Sequence, residues 1–347
     1  MTYLNKLINK PIFTGDILNQ KGMLTTLALS ITLSFIFVLP WGKSIGDGFP
    51  AMLGALSFAS AAALFITQGT HKEYTVYHFL VIAFWAWALT SVIWSQGNGA
   101  EIEVAKTSFQ VMLLPFLFTL VFNSKYRVRL AYQSYVLGNI VGSFIIISNY
   151  LNGIQTNYYN RYGIANMETD ILGVALALSI PMAAYLSSSS KGKPARLLNV
   201  AAIPLIYFAI FLTGTRTASV IGLFGLAYWL FTYRKSSLVT KFSIVTTAIV
   251  FVAIVFSLAP KASIDRAFST GKSVSSGTLN DRTTIWKSSI SQWKSSPIKG
   301  VGLGGLGPAL SREHVSYAGA HSVYVEVLTE MGLVGITLYL MIILSIL

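Results

Sequence analysis

Ten stretches of this chain, each close to the length of a bilayer crossing, contain no Asp, Glu, Lys or Arg: Gly22 to Pro40, Phe49 to Thr67, Tyr74 to Trp94, Thr107 to Phe122, Leu130 to Asn149, Ile171 to Ser188, Leu197 to Leu212, Thr217 to Tyr233, Phe242 to Ala259, and a last one from Gly332. A hydrocarbon core ~30 Å thick takes about 20 apolar residues per helical crossing. Inside it every backbone polar group needs a partner within the protein, a demand that a helix meets by itself. The runs therefore predict an all-α polytopic membrane protein with about ten transmembrane helices. A soluble domain is excluded, since 54% of the residues are hydrophobic and only 11% are charged. The tenth run is still apolar at Leu347, so the sequence reads as truncated within or just after a span.

The net charge of +13 would suggest nucleic acid if it lay on one soluble face, but its distribution says otherwise. With a cytoplasmic N-terminus, the inner segments hold Lys6, Lys10, Lys21, Lys72, Lys125, Arg127, Arg129, Lys191, Lys193, Arg196, Arg234, Lys235 and Lys241. The short outer loops hold only Lys43, Lys106, Arg161 and Arg216. Thirteen against four is a positive-inside asymmetry that fixes the orientation. The basic balance is thus a topology signal, and no nucleic-acid partner is expected. The first run lacks a small-x-small site before WGKSIGDG and reads as a true span rather than a cleaved signal. The absence of cysteine rules out disulfide and thiolate chemistry.

Ion-coupled transporters place ionisable groups at mid-membrane. These runs place none there, which argues against a transporter or flippase. The polar chemistry lies instead at the outer ends of spans. Arg161 stands in NYYNRYGIANMETD, Arg216 in TGTRTAS, and a long outer segment runs from Pro260 to Ala320. The chain thus divides into a transmembrane part (1–259), an outer loop domain (260–320) and a helix entering the tenth span (321–347).

Within the loop, NDRTTIWKSSISQWKSSP has Trp286, Ile290 and Trp293 at helical spacing, with Pro297 as terminator. It predicts a short amphipathic helix on the membrane surface, capped by Asn280 or Asp281, with Arg282 in its first turn. The glycine-rich KGVGLGGLGPAL lacks the strand, helix and Lys-Ser pair of a phosphate loop, and reads as a tight turn at the lipid surface. In AGAHSVYVEVLTEMGLVG, His321, Tyr324, Val325 and Leu328 share a face of a helix running straight into the last span. Glu330 falls opposite His321 and Glu326 about 140° away. A partner for the histidine must then come from elsewhere, with Asp170, Glu168 or a loop residue as candidates.

Arginine offers phosphate a fixed fork of donors, and two or three together make a diphosphate clamp. Histidine is the natural proton acceptor near neutral pH. Arg161, Arg216, Arg282 and His321 at one membrane boundary therefore describe glycosyl transfer from a lipid diphosphate.

The order of TGTRTAS, then NDRTTIWKSSISQWKSSPIKGVGLG, then AHSVYVEVLTEMGLVG resembles the O-antigen ligase and O-antigen polymerase superfamily of bacterial inner-membrane proteins. The likeness is specific from about Leu212 to Gly335. It implies a GT-C-like, metal-independent, inverting glycosyltransferase with no cofactor and a periplasmic active site. The donor would be an undecaprenyl-diphosphate-linked glycan, and the acceptor lipid A core or a second lipid-linked glycan. His321 matches the base, Arg216 and Arg282 the diphosphate-contacting arginines, and Arg161 a further one; Asp170, Glu168, Tyr324 and Glu326 would support them. The sequence departs from the family in two places. Ser322 follows the histidine where relatives often carry Asn, and METD stands where they carry an asparagine. The second departure leaves Glu168 and Asp170 as E-x-D, a pattern suited to a divalent ion. A ligase passes the finished glycan to lipid A core, a polymerase passes a growing chain to another repeat unit, and the compact single-histidine loop favours the ligase.

Overall fold

The computed structural model describes residues 22–46, 48–68, 74–95, 97, 99–155, 161–190, 192–232, 242, 246, 257, 260, 282–312, 314 and 320–347. These form an all-helical bundle: α1 (Met23–Val38), α2 (Gly48–Gln68), α3 (Val76–Ser91), α4 (Ala100–Val121), α5 (Lys125–Leu151), α6 (Thr169–Ser189), α7 (Lys193–Thr213), α8 (Arg216–Thr232), α9 (Arg282–Ser295), α10 (Leu306–Arg312) and α11 (Val323–Leu344). Among the described residues, seven of these helices are long and apolar enough to cross a bilayer, and α1 and α8 are shorter apolar helices. Nine of the ten expected runs thus coincide with helices. The run from Phe242 to Ala259 lies outside the described residues, apart from isolated positions.

Helix α6 is the centre of the bundle, packed against α5, α7 and α8. Its Leu172, Leu176, Ala177, Ile180 and Ala183 are fully buried against Ile203, Ile206 and Ile210 of α7. Alanine and glycine on α6 allow the close helix approach that packing within a bilayer requires. A second group gathers α3, α9 and α10 around α11.

Helix α11 corrects the expectation of a straight run into the last span. Gly332 has φ 66 and ψ −162, so the helix breaks there. A regular helix would separate Tyr324 from Tyr339, fifteen residues on, by roughly 22 Å. Their ring centroids are 5.8 Å apart, so the two halves bend sharply toward each other.

A break leaves backbone groups unpaired, and inside a protein each needs a partner. The segment from Pro297 to Gly302 supplies most of them. The amides of Val301 and Gly302 donate to Thr329 and Glu330 carbonyls (2.9 and 2.8 Å). Trp87 Nε1 donates to Met331 O (2.9 Å). Beyond the break, Leu333 N donates to Pro297 O at 2.9 Å and Val334 N to Ile298 O at 3.4 Å. The Glu330 side chain, only 5% exposed, accepts from Gly304 N (3.0 Å) and Leu306 N (3.2 Å). On the other side Leu303 is held by both Ser91 and Ser95 of the α3 end. KGVGLGG is therefore a buried strap threaded through a broken helix, not a turn at the lipid surface, and Val301 and Leu303 are buried with it.

Candidate active site

The histidine of the AHS motif does not sit on a helix. His321 has φ 50, a left-handed conformation uncommon for a residue with a side chain. Ser322 is the N-cap of α11, its hydroxyl accepting from Val325 N at 3.5 Å. That corrects the shared face proposed for His321, Tyr324, Val325 and Leu328. It also accounts for serine in place of asparagine, since both residues cap helix N-termini well. Just before the histidine, Ala320 is fully buried with Ile285, Leu306 and Leu310, and its carbonyl accepts from Trp286 Nε1 at 2.9 Å. The backbone is thus pinned on both sides of an exposed imidazole.

Helix α9 does this pinning. It begins at Arg282 and ends at Ser295, ahead of Pro297. Its expected caps at Asn280 and Asp281 lie outside the described residues. Ile285 and Ser289 are its buried positions, and Thr329 of α11 donates to Ser289 O at 3.4 Å. Both tryptophans use their indole N–H inside the protein, Trp293 on Pro297 O at 3.0 Å. The helix is therefore docked on α10 and α11. Arg282, partly buried, stands one turn before Trp286 on the same face, the face that touches the residue preceding His321.

The second half of the site is the turn between α7 and α8. Thr213 closes α7, Gly214 takes the left-handed conformation of a helix C-cap (φ 62), and Arg216 opens α8. Arg161 reaches in from the segment before α6: Nε donates to Thr213 O at 2.7 Å and Nη2 to Thr215 Oγ1 at 2.9 Å. Nη2 also forms an ion pair with Asp170 Oδ1. A cation at the α7 C-terminus meets the negative end of that helix's dipole. Thr215 Oγ1 lies 3.2 Å from Asp170 Oδ1 and 3.0 Å from Thr169 O. Gly173 makes this approach possible, for a Cβ there would stand 2.9 Å from Thr215 Oγ1.

The two halves meet electrostatically. His321 lies close enough to Asp170 of α6 for their charges to interact, and likewise to Glu326 in the first turn of α11. One end of the bundle thus gathers Arg161, Asp170, Thr215, the start of α8 at Arg216, and His321. Glu168, at the N-cap position of α6, is exposed and makes no capping bond. Tyr324 rests on Tyr339. Among the described residues no three His, Asp or Glu side chains cluster as a metal-ligand set. Sequence reasoning missed Thr213 and Thr215 as partners of Arg161, although TGT beside an arginine is a recognisable helix-end signal.

The helices and this polar end define an all-α polytopic membrane protein whose chemistry-bearing side chains cluster at one end of the bundle. Residues 200–340 match the family model Wzy_C, O-Antigen ligase, so this stretch of the chain is similar to the O-antigen ligase superfamily, a family that implies glycosyltransferase-like activity. The match includes Arg216, Arg282 and His321 and excludes Arg161, Glu168 and Asp170. The chain matches none of the curated proteins and none of the solved structures.

Proposed function

We propose that the protein is an O-antigen ligase, transferring a glycan from undecaprenyl diphosphate to a sugar hydroxyl of lipid A core at the periplasmic face of a bacterial inner membrane. The observation that carries this reading is the meeting of His321 with the Asp170 and Arg216 end of the bundle, within a chain that has the O-antigen ligase domain. His321 takes the proton from the acceptor hydroxyl, whose oxygen bonds to the anomeric carbon. The bond from that carbon to the diphosphate oxygen breaks, and the electron pair leaves with the lipid diphosphate. Charge grows on the leaving group in the transition state, where fixed cations contribute most. We assign Arg216 and Arg282 to that charge. Arg161 has Nε and Nη2 engaged inside the protein and is assigned to holding Asp170. The chemistry needs no metal or cofactor, and the thirteen-to-four lysine and arginine asymmetry orients the site outward.

Purified protein given lipid-linked donor with either core lipid or a second donor molecule tests the assignment. Transfer to core lipid is expected; product made only by joining donors would make the protein a polymerase instead. In the same assay Arg216→Lys should lower kcat/KM on the order of 100-fold, because a point charge does not reproduce a two-pronged guanidinium. Unchanged turnover would remove Arg216 from the clamp.

A further inference from the structure

We propose that the first two turns of α7, with the adjoining first turns of α5, form a site for an anionic diacylphospholipid: its phosphate sits between Lys193 and Arg196, and one acyl chain lies along Pro194, Leu197 and Val200. The 21 residues of α7 put this end about 30 Å from the Thr213 turn. The inference therefore stands apart from the glycosyl-transfer reading.

Lys193, Pro194, Arg196, Leu197 and Val200 line an open groove of about 540 Å³. Lys193, Arg196, Leu197 and Val200 stand at i, i+3, i+4 and i+7, which is one face of a helix. That face changes character along its length. At its mouth are two exposed cations, and a pair spaced three apart brings its β-carbons within ~6 Å, close enough for both to meet one phosphodiester. Further along, Leu197 is 69% exposed and Val200 packs on the bundle core. Helix α7 is long and apolar enough to cross a bilayer, so the groove runs from the water boundary into hydrocarbon. A soluble anion would use only the mouth; an amphiphile uses the whole groove.

The surrounding charge selects the headgroup. Helix α5 packs beside α7 and starts at the same end, the two joined by reciprocal amide bonds between Gln133 and Asn199 at 3.4 and 2.9 Å. Ahead of Gln133 come Lys125, Arg127 and Arg129. Arg129 is held by Tyr185 near the end of α6, with Nε donating to the hydroxyl at 3.2 Å and the guanidinium 5.7 Å from the ring centroid. Arg196 Nη2 donates to Ser190 O, just past the end of α6, at 3.3 Å, which anchors the fork and leaves its other N–H groups for a ligand. None of Lys125, Arg127, Arg129, Lys193 and Arg196 pairs with a carboxylate among the described residues, whose ion pairs are Lys106 with Glu103 and Arg161 with Asp170. A zwitterionic headgroup would bring its own ammonium or choline into this field, whereas one with net negative charge compensates it. In the orientation predicted by the lysine and arginine asymmetry this end lies in the cytoplasmic leaflet, where basic pockets between helices take anionic headgroups.

The purified protein in phosphatidylcholine vesicles, doped with a phosphatidylglycerol that carries a photoreactive acyl chain, tests the site. Illumination should place adducts on residues 193–200. Excess phosphatidylglycerol should remove them, and inorganic phosphate at the same ionic strength should not. A phosphatidylcholine with the same photoreactive chain should label this stretch on the order of tenfold less. Lys193 is exposed and its side chain makes no hydrogen bond among the described residues, so Lys193→Gln leaves the fold intact and should lower labelling by phosphatidylglycerol about fivefold. Adding Arg196→Gln should take the loss to roughly 20-fold. Because Arg196 also holds Ser190, the single Lys193 variant keeps the test independent of any change at that bond. Equal labelling by the two photoreactive lipids, or parent-like labelling of either variant, would overturn the inference. Removal of the adducts by inorganic phosphate would overturn it too, by making the groove a site for a soluble anion.

Discussion

His321→Ala is expected to lower glycan transfer at least about 1,000-fold while leaving expression and membrane insertion unchanged and the melting temperature within a few degrees of the parent's. The size follows from removing a positioned general base, an effect of about 100- to 10,000-fold in enzymes generally. The separation of activity from stability follows from the architecture. The imidazole is exposed, and the fold is held by its neighbours: Ala320 in the small core beside Ile285 and Leu310, with its carbonyl on Trp286, and Ser322 at the cap of α11. Truncating the ring removes no packing and no backbone bond. Left-handed backbone is about as accessible to alanine as to most residues with a Cβ, so a modest cost of about 1 kcal/mol bounds the change in stability. Turnover and melting of the purified variant against the parent decide the matter. Activity within about ten-fold of the parent would return His321 to an interfacial residue with no chemical part, since a positioned base is worth more than that.

The spans were legible because burial in lipid imposes a uniform demand on every residue of a crossing. Long charge-free runs are its direct record, and α1 to α8 fall where those runs stand. The site was legible as a set of residue types, since an arginine or a histidine in an apolar chain marks itself. What composition and periodicity left unread was local backbone geometry. AHSVYVE has helical spacing throughout, yet the helix starts only at Val323. The one signal for this was Ser322 ahead of an apolar stretch with Glu326 close behind, a cap followed by an acidic first turn. The partnership of Arg161 with Asp170 joins residues nine apart through a third element, the Thr213–Thr215 turn. No periodicity encodes such a contact. The strap was unread for a similar reason. Its amides at Val301 and Gly302 bond to the carbonyls of Thr329 and Glu330, and a bond between main-chain groups leaves no mark in the order of side chains. The break that those bonds repair looks in sequence like one more glycine in an apolar helix.

The convergence of helix ends also explains why the polar residues are spread so widely in sequence. A bilayer-spanning helix can offer a polar site only its termini, where four backbone donors or acceptors are unpaired and side chains can reach water. Assembling a histidine, a carboxylate and several guanidinium groups at one depth therefore takes several helices. The proposed site draws Asp170 from α6, Thr213, Thr215 and Arg216 from the α7–α8 turn, Arg282 from α9, and His321 from the approach to α11. The short helix α9 serves as a brace, because its Trp286 fixes the residue preceding the histidine.

Gly332→Ala should be severely damaging, costing about 3 kcal/mol or more. Two independent effects add. The backbone at φ 66 and ψ −162 lies in a region essentially closed to residues with a Cβ. A Cβ at Gly332 would also strike the Ile298 carbonyl and come within 2.7 Å of Lys299 N, both backbone atoms of the strap. Backbone cannot swing aside as a side chain can, so either α11 straightens or the strap is expelled. Expelling the strap strands the Thr329 and Glu330 carbonyls and the Glu330 carboxylate, and straightening α11 instead strands the Val301 and Gly302 amides and the Trp87 indole N–H, each a costly loss inside a protein. The damage should spread to the site, because α11 carries Ser322 and Glu326 on the near side of the break. Gly46→Ala is the matched control: no atom lies within 4 Å of its added Cβ, and its φ is not in the left-handed region. Thermal melting of both variants in detergent should give a parent-like transition for Gly46→Ala and a transition lowered by several degrees, or no folded protein, for Gly332→Ala. A Gly332→Ala protein that melts with the parent would mean that α11 does not break at Gly332 in the membrane, and the bent arrangement of its two halves would go with it.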